Sequence, residues 1–151
     1  MTSFTPIDPD FEKRVRDSFD RQQFMHTIGA TLGSVKAGSV DIHLPITPSV
    51  AQQHGFVHAG AVASIADSAC GYAAFSLMPA DAGVLAVEFK INLMAPAKGD
   101  TLIARGRVLR AGRTLSVCQA EVVAVTDGAE KTVALLTSTV MTVIDREGVR
   151  G

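Results

Sequence analysis

Three places in the chain combine residue types and spacing that can do chemistry. Asp67 stands in the middle of Ala59–Leu77, a segment otherwise apolar or small, rich in Ala and Gly with three serines. A carboxylate inside an apolar helix is costly to bury, and it persists where it is paired, hydrogen-bonded or used. Gln52-Gln53-His54-Gly55-Phe56-Val57-His58 is a polar, glycine-containing loop that leads into Ala59 and Gly60 at the start of that helix. The first amides of a helix lack intrahelical partners and, with the helix dipole, favour negative charge. The backbone N–H groups of Ala59 and Gly60 are therefore candidates to hold the oxyanion that forms when a carbonyl is attacked. Arg110-Ala111-Gly112-Arg113-Thr114 sets two guanidiniums and turn amides side by side, which suits a phosphate group or an ordinary solvated turn.

Other constellations carry less. His54 and His58 are four apart, but Gly55 and the loop context separate them from a helical metal pair. No H-E-x-x-H pattern or second ligand cluster accompanies them, so no metal and no cofactor is expected. Ser64, Ser68 and Cys70 have no general base legible beside them, and a nucleophilic triad is not supported.

The elements that must position these residues follow from periodicity. Asp8-Pro9 suits a helix start, and Phe11, Val15 and Phe19 fall on one face of a short amphipathic helix. Strands are predicted over Ile28–Val35 and Ser39–Ile46, the second alternating Val40, Ile42, Leu44 and Ile46 with Asp41, His43 and Pro45. Ala59–Leu77 has few β-branched residues and is apolar almost all round, which marks a covered helix whose small side chains let neighbouring backbone approach. Val87, Phe89, Ile91 and Leu93 then alternate with Glu88, Lys90 and Asn92 as the clearest strand in the chain. Thr101–Arg110 and Thr114–Val125 flank Ala111-Gly112, and Asp127-Gly128 predicts a tight hairpin into Lys131–Ile144. An antiparallel sheet of that size needs its apolar face covered, and only Ala59–Leu77 can do so. The expectation is an α+β hotdog fold: an antiparallel sheet wrapped around one long helix, with a short N-terminal helix.

Length and composition agree with one domain over residues 1–151, nearly half of them hydrophobic. The 14 basic and 15 acidic residues nearly cancel and nowhere cluster, which argues against a nucleic-acid partner. Cys70 and Cys118 are far apart, giving no disulfide framework and fitting a reducing compartment. The N-terminus lacks the order of a secretory signal, and Ala59–Leu77 holds Asp67 and too much Ala and Gly for a membrane span. A cytoplasmic, non-membrane protein is expected.

The run H-A-G-A-V-A-S-I-A-D-S-A-C-G-Y-A-A from His58 to Ala74 resembles the PaaI-like hotdog thioesterases of the phenylacetate-degradation type. Their pattern is H-G-G, small or apolar residues, then L-A-D and an Ala/Gly-rich continuation. The spacing of nine from His58 to Asp67 matches, as does the downstream run from Glu88 through Ala95-Pro96-Ala97-Lys98-Gly99-Asp100 to Val108-Leu109-Arg110-Ala111-Gly112-Arg113. The resemblance implies hydrolysis of acyl-coenzyme A, with Asp67 as nucleophile or general base, the Ala59 amide as oxyanion hole and Gln52 as a polar amide near the reacting water. Gln52 stands where Asn is usual, and Ala59 replaces the first glycine of the motif. His58 either fixes the loop or touches the thioester. The hairpin Arg110 to Thr114 gains weight as a site for coenzyme A phosphates. The fold also hosts hydratases acting on acyl thioesters, and a non-catalytic acyl-CoA-binding module is a third reading.

Helix geometry adds a constraint. Asp67 lies seven or eight residues beyond the Ala59 and Gly60 amides, roughly 11 Å along one helix at about 1.5 Å per residue. A reacting carbonyl must lie about 3 Å from both its attacker and its oxyanion donors, so one subunit does not supply both. Two such helices antiparallel across a twofold axis would complete two sites, which makes a homo-oligomer the expected partner state. The resemblance implies the same arrangement, often with dimers paired into tetramers.

Overall fold

The computed structural model describes residues 4–150. The chain runs α1 (Phe11–Asp20), α2 (Gln23–Ile28), β1 (Thr31–Lys36), β2 (Ser39–Pro45), a single 3₁₀ turn (Pro48–Val50), α3 (Ala59–Phe75), β3 (Gly83–Leu93), β4 (Thr101–Arg110), β5 (Leu115–Thr126) and β6 (Ala129–Val143). All the strands form one antiparallel six-stranded sheet in the order β1-β2-β4-β5-β6-β3. It curls around α3, the hotdog arrangement expected from the sequence.

The core is the seam between α3 and the sheet. Val62, Ile65, Ala66, Ala69, Cys70, Ala73 and Phe75 of the helix meet Ile42, Leu44, Leu102, Ala104, Ala120, Val122, Leu136 and Val140, all buried. The close approach allowed by small residues is explicit at Gly106 of β4. A Cβ there would lie 2.3 Å from the Ala69 carbonyl oxygen, so any larger residue would drive helix and sheet apart. The β5–β6 hairpin turns on Asp127 and Gly128, both at positive φ (49° and 78°), the backbone that a two-residue turn between twisted strands requires.

Three local expectations are corrected. The first helix begins at Phe11 rather than at Asp8-Pro9. The Asp8 side chain instead accepts from the Asp10 N–H at 2.9 Å and pairs with Arg14 Nε at 2.9 Å. Ile28 belongs to a short second helix that ends at left-handed Gly29, so β1 starts only at Thr31. β3 starts at Gly83, and a bulge between Ala86 and Glu88 shifts its register on β6. Val87 is thereby taken out of the alternation, leaving Phe89, Ile91 and Leu93 opposite the inward row Ser138, Leu136 and Ala134.

The C-terminus of α3 is tied to α1 by one side chain. Arg14 donates to the carbonyls of Pro79 (2.8 Å), Met78 (2.7 Å) and Phe75 (3.2 Å), and its guanidinium lies 4.2 Å from the Phe75 ring centre. A cation on the last carbonyls of a helix satisfies acceptors that the helix cannot, and it opposes the negative end of the dipole. No helix among the described residues is long and apolar enough to cross a membrane.

Candidate active site

At the start of α3, His58 is the helix cap. Its Nδ1 accepts from the Gly60 N–H at 2.8 Å, and its carbonyl accepts from Ala61 (2.9 Å) and Val62 (3.2 Å). The Ala59 N–H is left with no acceptor among the described residues, and Ala59 is exposed. Of the two amides that the sequence nominated, Gly60 is therefore engaged within the chain and Ala59 is free. His58 itself fixes the local backbone.

The loop before His58 is pinned at both ends. Val57 N–H donates to Ala97 at 2.8 Å and His58 N–H to Val50 at 2.8 Å, while Gln52 and Phe56 close a tight turn through Gln52 N–H to the Phe56 carbonyl at 2.8 Å. Gln52 Oε1 accepts from the His54 N–H inside this turn, and its side-chain NH₂ has no hydrogen-bond partner among the described residues. Gln52, His58 and Ala59 line a cleft of about 530 Å³ with Leu93, Met94 and Val133, at the far end of β3.

Asp67 opens into a different cleft, of about 370 Å³, lined by Ser18, Arg21 and Gln22 from the α1–α2 junction, Ser68, Gly71 and Tyr72 from α3, and Val84, Leu85 and Ala86 from the start of β3. Nothing lies within 4 Å of a Cβ built on Gly71, so its missing side chain keeps this cleft open. Asp67 Oδ1 is buried without a hydrogen-bond partner, and removal from water holds the carboxyl above its ordinary range. Such a carboxylate is a stronger base than one in water. Burial also pushes the Cys70 thiol well up and the Cys118 thiol to about 12, so neither is a ready thiolate.

The carboxylate and the free amide thus open into different clefts, at the two ends of β3, and the structure does not bring them together within a single chain. The Arg110 to Thr114 hairpin is fully exposed at the tip of β4 and β5. Gly112 is required there, because a Cβ would lie 2.2 Å from the Leu115 carbonyl oxygen. Leu115 pairs with Met141, and Met141 with Leu85. The hairpin base is therefore about two strand spacings, roughly 10 Å, from the rim of the Asp67 cleft. Gln22, whose side chain reaches that cleft, escaped the sequence reading, since no local pattern ties the α1–α2 junction to a residue 45 positions later.

The family model described as "Thioesterase superfamily" matches residues 54–131. A thioesterase family protein from Silicibacter pomeroyi has a crystal structure that superposes with TM-score 0.87 at 47% identity, covering 89% of this chain and 98% of its own. The structure of a mutant of the phenylacetic acid degradation protein PaaI from Thermus thermophilus gives TM-score 0.69 at 25% identity, over 80% of this chain and 98% of that one. The 1,4-dihydroxy-2-naphthoyl-CoA hydrolase of Listeria monocytogenes is 25% identical over 114 residues, 76% of this chain and 90% of the relative.

Proposed function

The chain belongs to the thioesterase superfamily, among its PaaI-like members, and from that premise we propose that it hydrolyses acyl-coenzyme A at sites shared between two copies of itself. In this reading Asp67 of one protomer attacks the thioester carbonyl or deprotonates the attacking water. The Ala59 N–H of its partner holds the oxyanion, and the partner's Gln52 NH₂ helps to position the water.

One observation carries the proposal: the acid cleft lies at the start of β3 and the amide cleft at its end. β3 is an edge strand, and Leu85, Val87, Phe89 and Leu93 along it and Met94 just past its end are between 38% and 54% exposed. An edge with that much uncovered apolar surface invites pairing with another strand. Antiparallel pairing of β3 with a second β3 across a twofold axis would lay the start of each on the end of the other. It would cover the apolar run and bring each Asp67 to its partner's Ala59. The exposed Arg110 to Thr114 hairpin, near the rim of the acid cleft, suits the phosphates of coenzyme A.

The test is free-thiol release from a panel of aliphatic and aryl acyl-CoA substrates, for the wild type and for Asp67→Asn. Hydrolysis of at least one substrate by the wild type, lost by at least 1000-fold in a variant that still folds and binds substrate, is the expected outcome (on the order of the loss of an essential catalytic group). Equal rates for the two proteins would end the proposal.

A further inference from the structure

We infer that Gln22 is a second water-holding residue of this site, acting on Asp67 from within the same protomer; the inference rests on the thioesterase reading above. Gln22 is fixed at the junction of two helices: its N–H donates to the Phe19 carbonyl at 2.9 Å, and its own carbonyl accepts from Met25 at 3.1 Å. Its side chain crosses to α3, where Nε2 donates to Ser68 Oγ at 3.4 Å, next in sequence to Asp67. Oε1 is buried and has no partner, and the same holds for Asp67 Oδ1. Both residues line the one cleft.

Two buried acceptors cannot satisfy each other, and leaving both unpaired is costly. A molecule that donates twice satisfies both, and water is the smallest. With one O–H toward Asp67 and the other toward Gln22, its lone pair is free to meet a carbonyl carbon. The step then balances: water oxygen bonds to the acyl carbon as Asp67 takes one proton, the tetrahedral intermediate expels the thiolate as the C–S bond breaks, and the thiolate leaves with that proton. The products are the free acid and the thiol.

Asp67 is the only carboxylate among the residues that line the cleft. Arg21 from the α1–α2 junction and Arg150 from the C-terminal segment also line the cleft, Tyr72 and Cys70 on α3 are raised by burial, and the β3 and β6 residues that line it are apolar.

The test compares Gln22→Met, which keeps the side-chain length without its polar atoms, with Gln22→Glu, which adds a carboxylate beside Asp67. Gln22→Met is expected to lower kcat by about 10- to 100-fold with KM within about twofold. Gln22→Glu is expected to move the acid limb of the kcat/KM profile to higher pH, since a like charge disfavours ionisation of Asp67. Wild-type kcat in the first variant together with an unmoved acid limb in the second overturns the inference. So does a Gln22→Met loss that follows a fall in Tm while the Gln22→Glu limb stays in place, which marks a structural pin only. Both results require an active wild type and an inactive Asp67→Asn; a wild type inactive on every thioester refutes the thioesterase reading instead.

Discussion

Proline can separate the Ala59 amide from everything else that this residue does. Ala59 is the first residue of α3, where proline is tolerated because its missing N–H has no helical partner, and His58 before it has the extended backbone (φ −60°, ψ 137°) that a following proline demands. Ala59→Pro should leave the Tm within a few degrees of wild type and lower kcat by about 100- to 1000-fold, the usual effect of losing one oxyanion donor. Asp67 makes a second prediction, on stability. Its carboxyl titrates above its ordinary 3.8 in the folded chain because burial penalises the charge. The folded state therefore binds that proton more tightly than the unfolded one, and stability falls as pH rises through the folded pKa. Asp67→Asn, which mimics the neutral form, should melt a few degrees higher than wild type at pH 7 and lose that advantage below about pH 4. Thermal melts across pH would check it. Both residues were legible in the sequence because each breaks its surroundings, a charge in an apolar helix and a polar loop before a helix start. That Ala59 rather than Gly60 has the free amide was not legible, since it depends on where the His58 ring points.

Elements decide whether those residues meet. α3 and the last four strands could be read from period and turn residues, down to the Asp127-Gly128 hairpin. The bulge at Val87 could not be read, because bulging depends on pairing with β6 and not on the local pattern. α2 was missed for a similar reason: six residues carry too little periodicity, and only its left-handed Gly29 end hints at it. The alternation in β3 was legible, but not that its apolar face would lie uncovered at a sheet edge. Phe89→Asp places a charge on that edge, where pairing with a second copy would bury it without a partner. Light scattering should then report monomers, with hydrolysis lost by at least 100-fold (on the order expected when catalytic groups are no longer held together) although every site residue is intact. Arg14 is the other element-scale lever. Its side chain is only 11% exposed and that of Asp8 8%, so Arg14→Met strands a buried carboxylate and three carbonyls at the end of α3. A loss of about 3 kcal/mol is expected, read in a thermal melt as a fall of roughly 6–12 °C.

For the whole molecule, the decisive question is whether one active site draws on one chain or two. Asp67→Asn keeps a good Ala59 amide, and Ala59→Pro keeps a good Asp67. If each site takes its carboxylate from one protomer and its amide from the partner, a mixed dimer of the two inactive variants has one site with both defects and one with none. Unfolding the variants together in equal amounts and refolding them should give mixed dimers as about half of the population. Each would have one working site of two, so thiol release should recover to about a quarter of the wild-type rate. Sites confined to single chains predict no recovery at all, because every site in the mixture would then keep one defect. The same mixing with Phe89→Asp added to both variants should abolish the recovery, since complementation requires the β3 edges to meet.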